Sequence, residues 1–304
     1  MLISCGAPVA GAWAEPGSLG DFAARAEELG YHGLWGFQRL LVGTGQAMLP
    51  VYQSVLDPLL ALTWAAARTR TIRLGVAVIN IPYVSPAYLA KQAATLDVLS
   101  GGRFDLGLGT GWSEPEFVAT GSDPHPRGKR LHEYLEVLRT LWNDPVASFD
   151  GELYRLPAST MAPPPVQPGG PPVLLGGTAD VALRRAGRLA AGWVSSSRLS
   201  FADIARGTQI VRRAAEEAGR DPDSVRIVVR AVVQPGLRDD AVPLSGDWEQ
   251  IRAGAEQYAE AGVTELFYDL NWDPLIGSPD ADPAVARERA AEILTALRPP
   301  SNHP

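Results

Sequence analysis

Eight times along this chain a short apolar run is followed by an amphipathic stretch, and this alternation constrains the fold more than any other feature. The apolar runs cover residues 2–6, 33–37, 73–80, 103–109, 173–176, 192–196, 225–233 and 265–270. Runs such as RLGVAVIN (73–80) and VRIVVRAVV (225–233) are continuous and β-branched, as parallel strands covered on both faces must be. The stretches between them carry helix start and stop signals. They span 18–29 with Ser18 as cap and Gly30 as stop, 58–68, 86–99, and 129–142 with Leu131, Leu135, Leu138 and Trp142 on one face. Four more span 178–189 with Thr178 as cap, 200–219 with the capping pair Ser200 and Asp203, 247–261, and 283–297. Eight βα units over 304 residues match an α/β fold of the closed (β/α)8 TIM-barrel type. A doubly wound sheet shares the alternation and is the runner-up.

One interruption breaks the pattern. Residues 147–156 read as a hairpin around Asp150-Gly151, followed by seven prolines up to Pro172. Proline lacks an N–H and fixes φ, so this stretch is neither helix nor inner strand. It reads as an insertion at about 144–172, mostly extended and lying over the outside of a single domain at 1–298, with a flexible tail at 299–304. The 31 glycines and 26 prolines therefore act as punctuation and not as a sign of disorder. A net charge of -7 repels phosphate backbones and argues against nucleic acid as a partner. The lone Cys5 excludes an internal disulfide. No apolar run approaches the roughly 18 residues of a membrane span, and the N-terminus lacks the basic region of a signal peptide. A cytoplasmic protein, without membrane association, is expected.

In a barrel the chemistry sits on the loops after the strands. Gly107-Leu-Gly109-Thr-Gly111 is G-x-G-x-G and not the dinucleotide fingerprint, so its small residues suit close approach to something flat. Gly176-Gly177-Thr178 ends a strand and opens a helix, and the next strand ends Ser195-Ser196-Ser197-Arg198. Free N–H groups, hydroxyls and a guanidinium favour an anion site, although a tight turn with a Thr cap is the plainer alternative. Arg127, Lys129 and Arg130 suggest a local anion contact, or else charges that pair with Glu133 and Glu136. No metal is expected. The four histidines are His32, His125, His132 and His303, and His132-Glu133 lacks a second histidine at 136, which places the pair on a solvated helix face. Glu114, Glu116, Asp269 and Asp273 are the carboxylates a barrel glycosidase would need, though Glu114-Pro-Glu116 reads equally as a helix start.

Several segments then fall into a familiar order. Leu99-Ser-Gly-Gly-Arg103-Phe-Asp-Leu-Gly-Leu-Gly-Thr-Gly-Trp112, Arg127-Gly-Lys-Arg130-Leu-His-Glu133, Leu138-Arg-Thr-Leu-Trp142, Gly151-Glu-Leu-Tyr154, Val173-Leu-Leu-Gly-Gly177 and Ala186-Gly-Arg-Leu-Ala-Ala-Gly-Trp193 together resemble the luciferase-like monooxygenase superfamily. The resemblance covers about 2–297. Trp35-Gly-Phe-Gln-Arg39 and Asn80-Ile-Pro-Tyr83 resemble its actinobacterial (LLM-class) branch, which uses coenzyme F420, a 5-deazaflavin. Many relatives carry Asp-His where this chain has Gln38-Arg39. In alcohol-oxidising members that histidine assists the reaction, so the departure implies a reductase or oxygenase.

The resemblance further implies a non-prolyl cis peptide at Ala77-Val78 beneath the deazaflavin ring. It implies cofactor contacts from Thr110, Gly111 and Trp112, and phosphate-side contacts from Gly176, Gly177, Ser195, Ser196 and Ser197. Gln38, Asn80 and Arg127 complete the cofactor-binding set. Gln38, Arg39 and Asn80 are also the substrate-polarising candidates, and no proton donor is assigned. The expected function is an F420-dependent oxidoreductase that transfers hydride from reduced deazaflavin to an activated C=C, C=N or C=O of a small organic substrate. The alternatives are an FMN-dependent monooxygenase using reduced flavin and O2, a non-catalytic flavin- or deazaflavin-binding protein, and a barrel hydrolase that needs no redox cofactor. A separate reductase for cofactor recycling and a homodimer are expected by analogy.

Overall fold

A computed structural model describes residues 1–125, 127–236 and 238–300. The last four residues of the expected tail, with His303, lie outside the described residues. In chain order the strands are β1 (Leu2–Gly6), β2 (Gly33–Gly36), β3 (Arg73–Asn80), β4 (Phe104–Gly109), β5 (Ala147–Asp150), β6 (Arg155–Ser159), β7 (Val173–Gly176), β8 (Gly192–Val194), β9 (Arg226–Pro235), β10 (Leu244–Gly246) and β11 (Glu265–Asp269). Strands β9, β11, β1, β2, β3, β4, β7 and β8 pair in that order, all parallel, and β8 pairs back onto β9. The result is a closed eight-stranded (β/α)8 barrel. β5 and β6 form the antiparallel hairpin of the insertion, and β10 extends the sheet beside the end of β9.

The helices are α1 (Pro16–Glu28), α2 (Pro58–Arg68), α3 (Pro86–Ser100), α4 (Glu114–Ala119), α5 (Arg127–Asn143), α6 (Asp180–Leu189), α7 (Phe201–Glu217), α8 (Trp248–Glu260), α9 (Pro274–Gly277) and α10 (Pro283–Ala296). Both halves of the capping box at Ser200 and Asp203 are present, and a second box joins Asp247 and Gln250. Two expected caps are not used. α1 begins with Pro16 at its first turn, so Ser18 lies inside the helix; proline is preorganised for that position and lacks only an N–H that would be orphaned there anyway. α6 begins at Asp180, two residues beyond Thr178, with Ala179 at the cap position.

The barrel interior is layered. At its N-terminal end Asp105 pairs with Arg73 (2.7 Å) and Arg226 (2.9 Å), and Arg226 also pairs with Glu265 (2.8 Å). Ser4 Oγ and Trp35 Nε1 both donate to Glu265 Oε1 at 2.7 Å. Above this layer Trp35 stacks on Phe267 with ring centroids 5.4 Å apart, packed with Ala77, Leu174, Val194 and Val228. Gly75 makes the indole's place, since a Cβ there would stand 2.4 Å from Trp35 Cε3. The site lies at the opposite, C-terminal end.

The insertion is tied down through two acids. Asp97 on α3 accepts from the backbone N–H groups of Val166 and Gln167 and from the Gln167 side chain. Glu133 on α5, expected on a solvated face, is buried instead. It accepts from the backbone N–H groups of Glu152, Leu153 and Tyr154, closing the hairpin turn.

Glu27 does similar work between α1 and β3. Desolvation raises its pKa, but the backbone N–H groups of Ile72, Thr71 and Arg70 outweigh that and hold it at about 2, against an ordinary 4.5. Because the folded value is depressed, this contribution to stability is present above about 4.5 and is lost as pH falls toward about 2. Melting temperature followed down this range should fall less steeply in Glu27→Gln than in the parent chain. Parallel curves would show that the carboxylate contributes nothing.

Candidate functional site

The loops at the C-terminal ends of the strands enclose a cavity of about 530 Å³. Arg198 lines a second cavity instead, but the lining of this one includes every residue that the family resemblance assigns to cofactor or substrate: Gln38, Arg39, Ala77, Val78, Asn80, Thr110, Gly111, Trp112, Arg127, Gly176, Gly177, Ser195, Ser196 and Ser197. Of the basic trio only Arg127 reaches it. Lys129 pairs with Glu152, and Arg130 donates to the carbonyls of Asp123 and His125.

The floor is built by an irregularity in β3. Val76 pairs with Leu106 and Ile79 with Leu108, so three steps on β3 face two on β4. This bulge contains the Ala77-Val78 peptide, which is cis, and both side chains join the apolar interior. Here the reading of the glycines changes. Gly109 and Gly176 line the cavity, and in the direction a side chain would take they meet Val78: a Cβ on Gly109 would stand 2.5 Å from Val78 Cγ2. Gly111 has φ +74° and packs on Tyr83 and Phe117, and Gly177 has φ +133°, a backbone that favours glycine.

The polar groups on the walls are mostly committed to one another. Gln38 Oε1 accepts from Asn80 N (2.8 Å) and Asn80 Nδ2 (3.3 Å), while Asn80 Oδ1 accepts from Gly111 N (3.1 Å). The two amides therefore lock the ends of β2, β3 and β4 together. Ser195 Oγ accepts from Arg230 N at 3.0 Å. Arg230 and Asp269 form a buried pair at 2.6 Å, with the guanidinium 4.3 Å from the centre of the Phe37 ring. Desolvation lowers the Arg230 pKa, and Asp269 outweighs it and raises it. Arg39 pairs with Glu116 at 2.9 Å and lies against the rings of Trp112 (4.5 Å) and Tyr52 (5.1 Å). Beside that pair, burial and then the Glu116 charge push the Tyr83 phenol up to about 12. Glu116, Asp269 and Asp273 each face an arginine, and none of them lines this cavity, which removes the arrangement a glycosidase needs. Glu114 and Glu116 stand in the first turn of α4, in the favourable position for acids.

The mouth is cationic. Gly176 and Gly177 lead into α6, whose first residues face the cavity, and Arg127 and Arg185 stand beside it. Gly128 makes room for Arg185: a Cβ there would stand 2.8 Å from its Nη2. Burial and then Arg188 lower the Arg185 pKa, and among the described residues no carboxylate pairs with it. Arg185 and Arg230 were missed from the sequence. Arg230 had a signal, a charge in the middle of an apolar strand, whereas Arg185 looked like any charge on an amphipathic helix.

Removing one partner of a buried ion pair strands the other charge. Arg230→Met is expected to cost about 3–5 kcal/mol of unfolding free energy. The urea midpoint should therefore drop clearly, and an unchanged midpoint would show that Asp269 finds solvent.

The model of the family described as luciferase-like monooxygenase matches residues 4–243. A Mycobacterium tuberculosis protein, Rv0953c, is 36% identical over 258 residues, covering 83% of this chain and 81% of that one. Among solved structures, the monooxygenase RslO1 of Streptomyces bottropensis superposes with TM-score 0.79 at 19% identity, covering 98% of both chains. The coenzyme F420-dependent tetrahydromethanopterin reductase of Methanopyrus kandleri superposes with TM-score 0.77 at 18% identity, again covering 98% of both. The matched residues 4–243 include every residue named above as lining the cavity. This chain belongs to the luciferase-like monooxygenase family.

Proposed function

We propose that the protein is an F420-dependent oxidoreductase that reduces an activated C=C, C=N or C=O bond of a small organic substrate. The observation that carries this reading is the pairing of an apolar floor with a cationic mouth in one cavity. Ala77, Val78 and Val194 offer a flat, uncharged surface to a ring system. Gly176, Gly177, the start of α6 and Ser196–Ser197 offer N–H and O–H donors to a phosphate. When bound, the reduced deazaflavin supplies the hydride, and solvent supplies the balancing proton.

Two features favour F420 over FMN. The mouth carries two guanidinium groups, Arg127 and Arg185, where a single phosphate needs only one. F420 continues beyond its phosphate into carboxylates that a second arginine would meet. The pattern at 35–39 and 80–83 is the second. The FMN monooxygenase reading keeps its support in the solved monooxygenase that shares this fold. Gln38 and Asn80, locked together, serve to hold the rim in shape, and Arg39 is the wall donor left for substrate. The reading includes a homodimer through α2 and α3, supported by exposed Leu60, Trp64, Tyr88 and Leu99 on those helices.

Titration of the purified protein with F420, FMN and riboflavin tests the proposal. F420 should bind at tens of micromolar or tighter. Binding of FMN alone would transfer the protein to the monooxygenase reading, and binding of neither would end both. Arg185→Ala is expected to weaken the phosphate-bearing cofactors by roughly tenfold, the loss of about 1.5 kcal/mol from a charged hydrogen bond. Riboflavin, which has no phosphate, should be unaffected.

A further inference from the structure

We propose that a second cavity, beside the first, takes the uncharged aromatic body of the substrate, while the reacting end reaches across into the first. The inference deepens the reading above and rests on it only in giving the first cavity to the cofactor.

The second cavity measures about 610 Å³, the size of a small-molecule site. It lies at the C-terminal ends of β8, β9 and β11, where Ser197, Val232 and Asn271 line it, and is closed by residues 49–51 and the loop at 239–243. That loop is held in shape from within: Ser245 Oγ accepts from Asp239 N and donates to Asp239 O, both at 2.8 Å. Tyr258 of α8 lines the cavity from its buried side and packs on Phe201, with ring centroids 4.4 Å apart. Walls fixed in this way lower the cost of ordering a ligand between them. A thin partition separates the two cavities. Ser197 lines both, while Tyr52 lines the first and Trp272 the second. The two rings meet edge to face with centroids 5.8 Å apart. A molecule seated in the second cavity is therefore one layer of side chains from the first, and Ser197, the smallest of the three, leaves the shortest way across.

Charge decides what the body is. Many barrels hold a phosphate on the loops after their last two strands, at the start of a short extra helix. Here that helix is α9, and Asp273 already occupies its start, accepting from Leu275 N at 2.9 Å. Asp273 is in turn offset by Arg289 at 3.2 Å. Among the described residues the other charged groups of the lining are Arg198 and Asp239, one of each sign. Arg198, read from the sequence as an anion partner, lies 5.9 Å from the centre of the Trp272 ring. An anion or a cation entering here would lose hydration and meet a like charge as well as an opposite one. The rest of the wall is largely apolar, with Leu49, Val51, Leu199, Val232 and the Trp272 ring, and suits flat uncharged rings.

Calorimetric titration of the full chain with 2-acetonaphthone, an uncharged fused-ring ketone, is the test. The ketone should bind with a Kd of about 100 μM or tighter. Ala241 is exposed and lines the second cavity without lining the first, so Ala241→Trp fills that space without disturbing the core. This variant should lose about tenfold in affinity for the ketone. Leu49→Trp, on another wall, covers the case in which it fails to fold. Val181→Trp, which narrows the first cavity, should leave the affinity unchanged. Naphthoate, matched in size and charged, should not depend on the second cavity, so Ala241→Trp should leave its affinity unchanged. With F420 or FMN bound, the ketone should still bind and should shift the cofactor's visible absorption band. No binding by the parent chain, an affinity unmoved by the filling variants, an equal loss in Val181→Trp, a naphthoate affinity that falls with the ketone's, or a cofactor band unmoved by the bound ketone would overturn the inference. Ketone binding as expected, with neither cofactor bound, counts against the proposed function alone. Cofactor binding without ketone binding counts against this inference alone.

Discussion

The ionic layer at the base of the barrel is the constraint on which the other layers rest. Asp105, Arg73, Arg226 and Glu265 come from four strands, β4, β3, β9 and β11, and Ser4 brings in β1. Buried ion pairs add little net stability once desolvation is counted. Their consequence here is register. Strand side chains alternate faces, so a slip of one residue in β9 would turn Arg226 outward and Ile227 into the charged layer. With that layer fixed, Trp35 gains its partner in Glu265 and its stacking face on Phe267. With Trp35 fixed, Ala77 and Val78 have a surface to rest on. The cavity floor is in this sense set two layers below.

What the sequence makes legible follows the range of the interactions involved. Strands and helices depend on near neighbours, so the eight runs and the capping box at Ser200 can be read directly. Errors appear where two local signals compete. Ser18 and Thr178 are good caps by residue type, but Pro16 starts α1 earlier and α6 starts two residues after Thr178. Gly176, Gly177, Ser195, Ser196, Ser197 and Arg127 follow from the chemistry of strand ends and a basic cluster, whereas Gln38, Ala77, Val78 and Asn80 come only from the family resemblance, since nothing local links Gln38 to Asn80. Partners were not legible at all. That Glu116 faces Arg39, that Glu133 holds a hairpin turn, and that Val78 occupies the space over Gly109 are all consequences of closure.

The glycines show how one location can serve two purposes. Glycine at a strand end permits close approach, and the cavity is indeed bordered by Gly109, Gly111, Gly176 and Gly177. Their spaces are taken by Val78, Tyr83 and Phe117 or required by positive φ. They admit the bulged strand, and Val78 on that strand meets the cavity beside them.

Base and mouth treat charge in opposite ways, and the contrast is informative about chemistry. At the base each charged group is paired and hydrogen-bonded, leaving nothing for a ligand. At the top the pairing is incomplete: Arg39 has its ion pair with Glu116, while among the described residues Arg127 and Arg185 face the cavity without a carboxylate partner. Such groups weaken a fold, and they persist only where the surrounding structure determines their places more than once. Arg39 is determined by its ion pair, by two aromatic faces and by a neighbouring backbone held to the same carboxylate. A guanidinium held in so many ways keeps one place in the cavity wall, and a ligand that meets this wall finds it already ordered, which lowers the cost of binding.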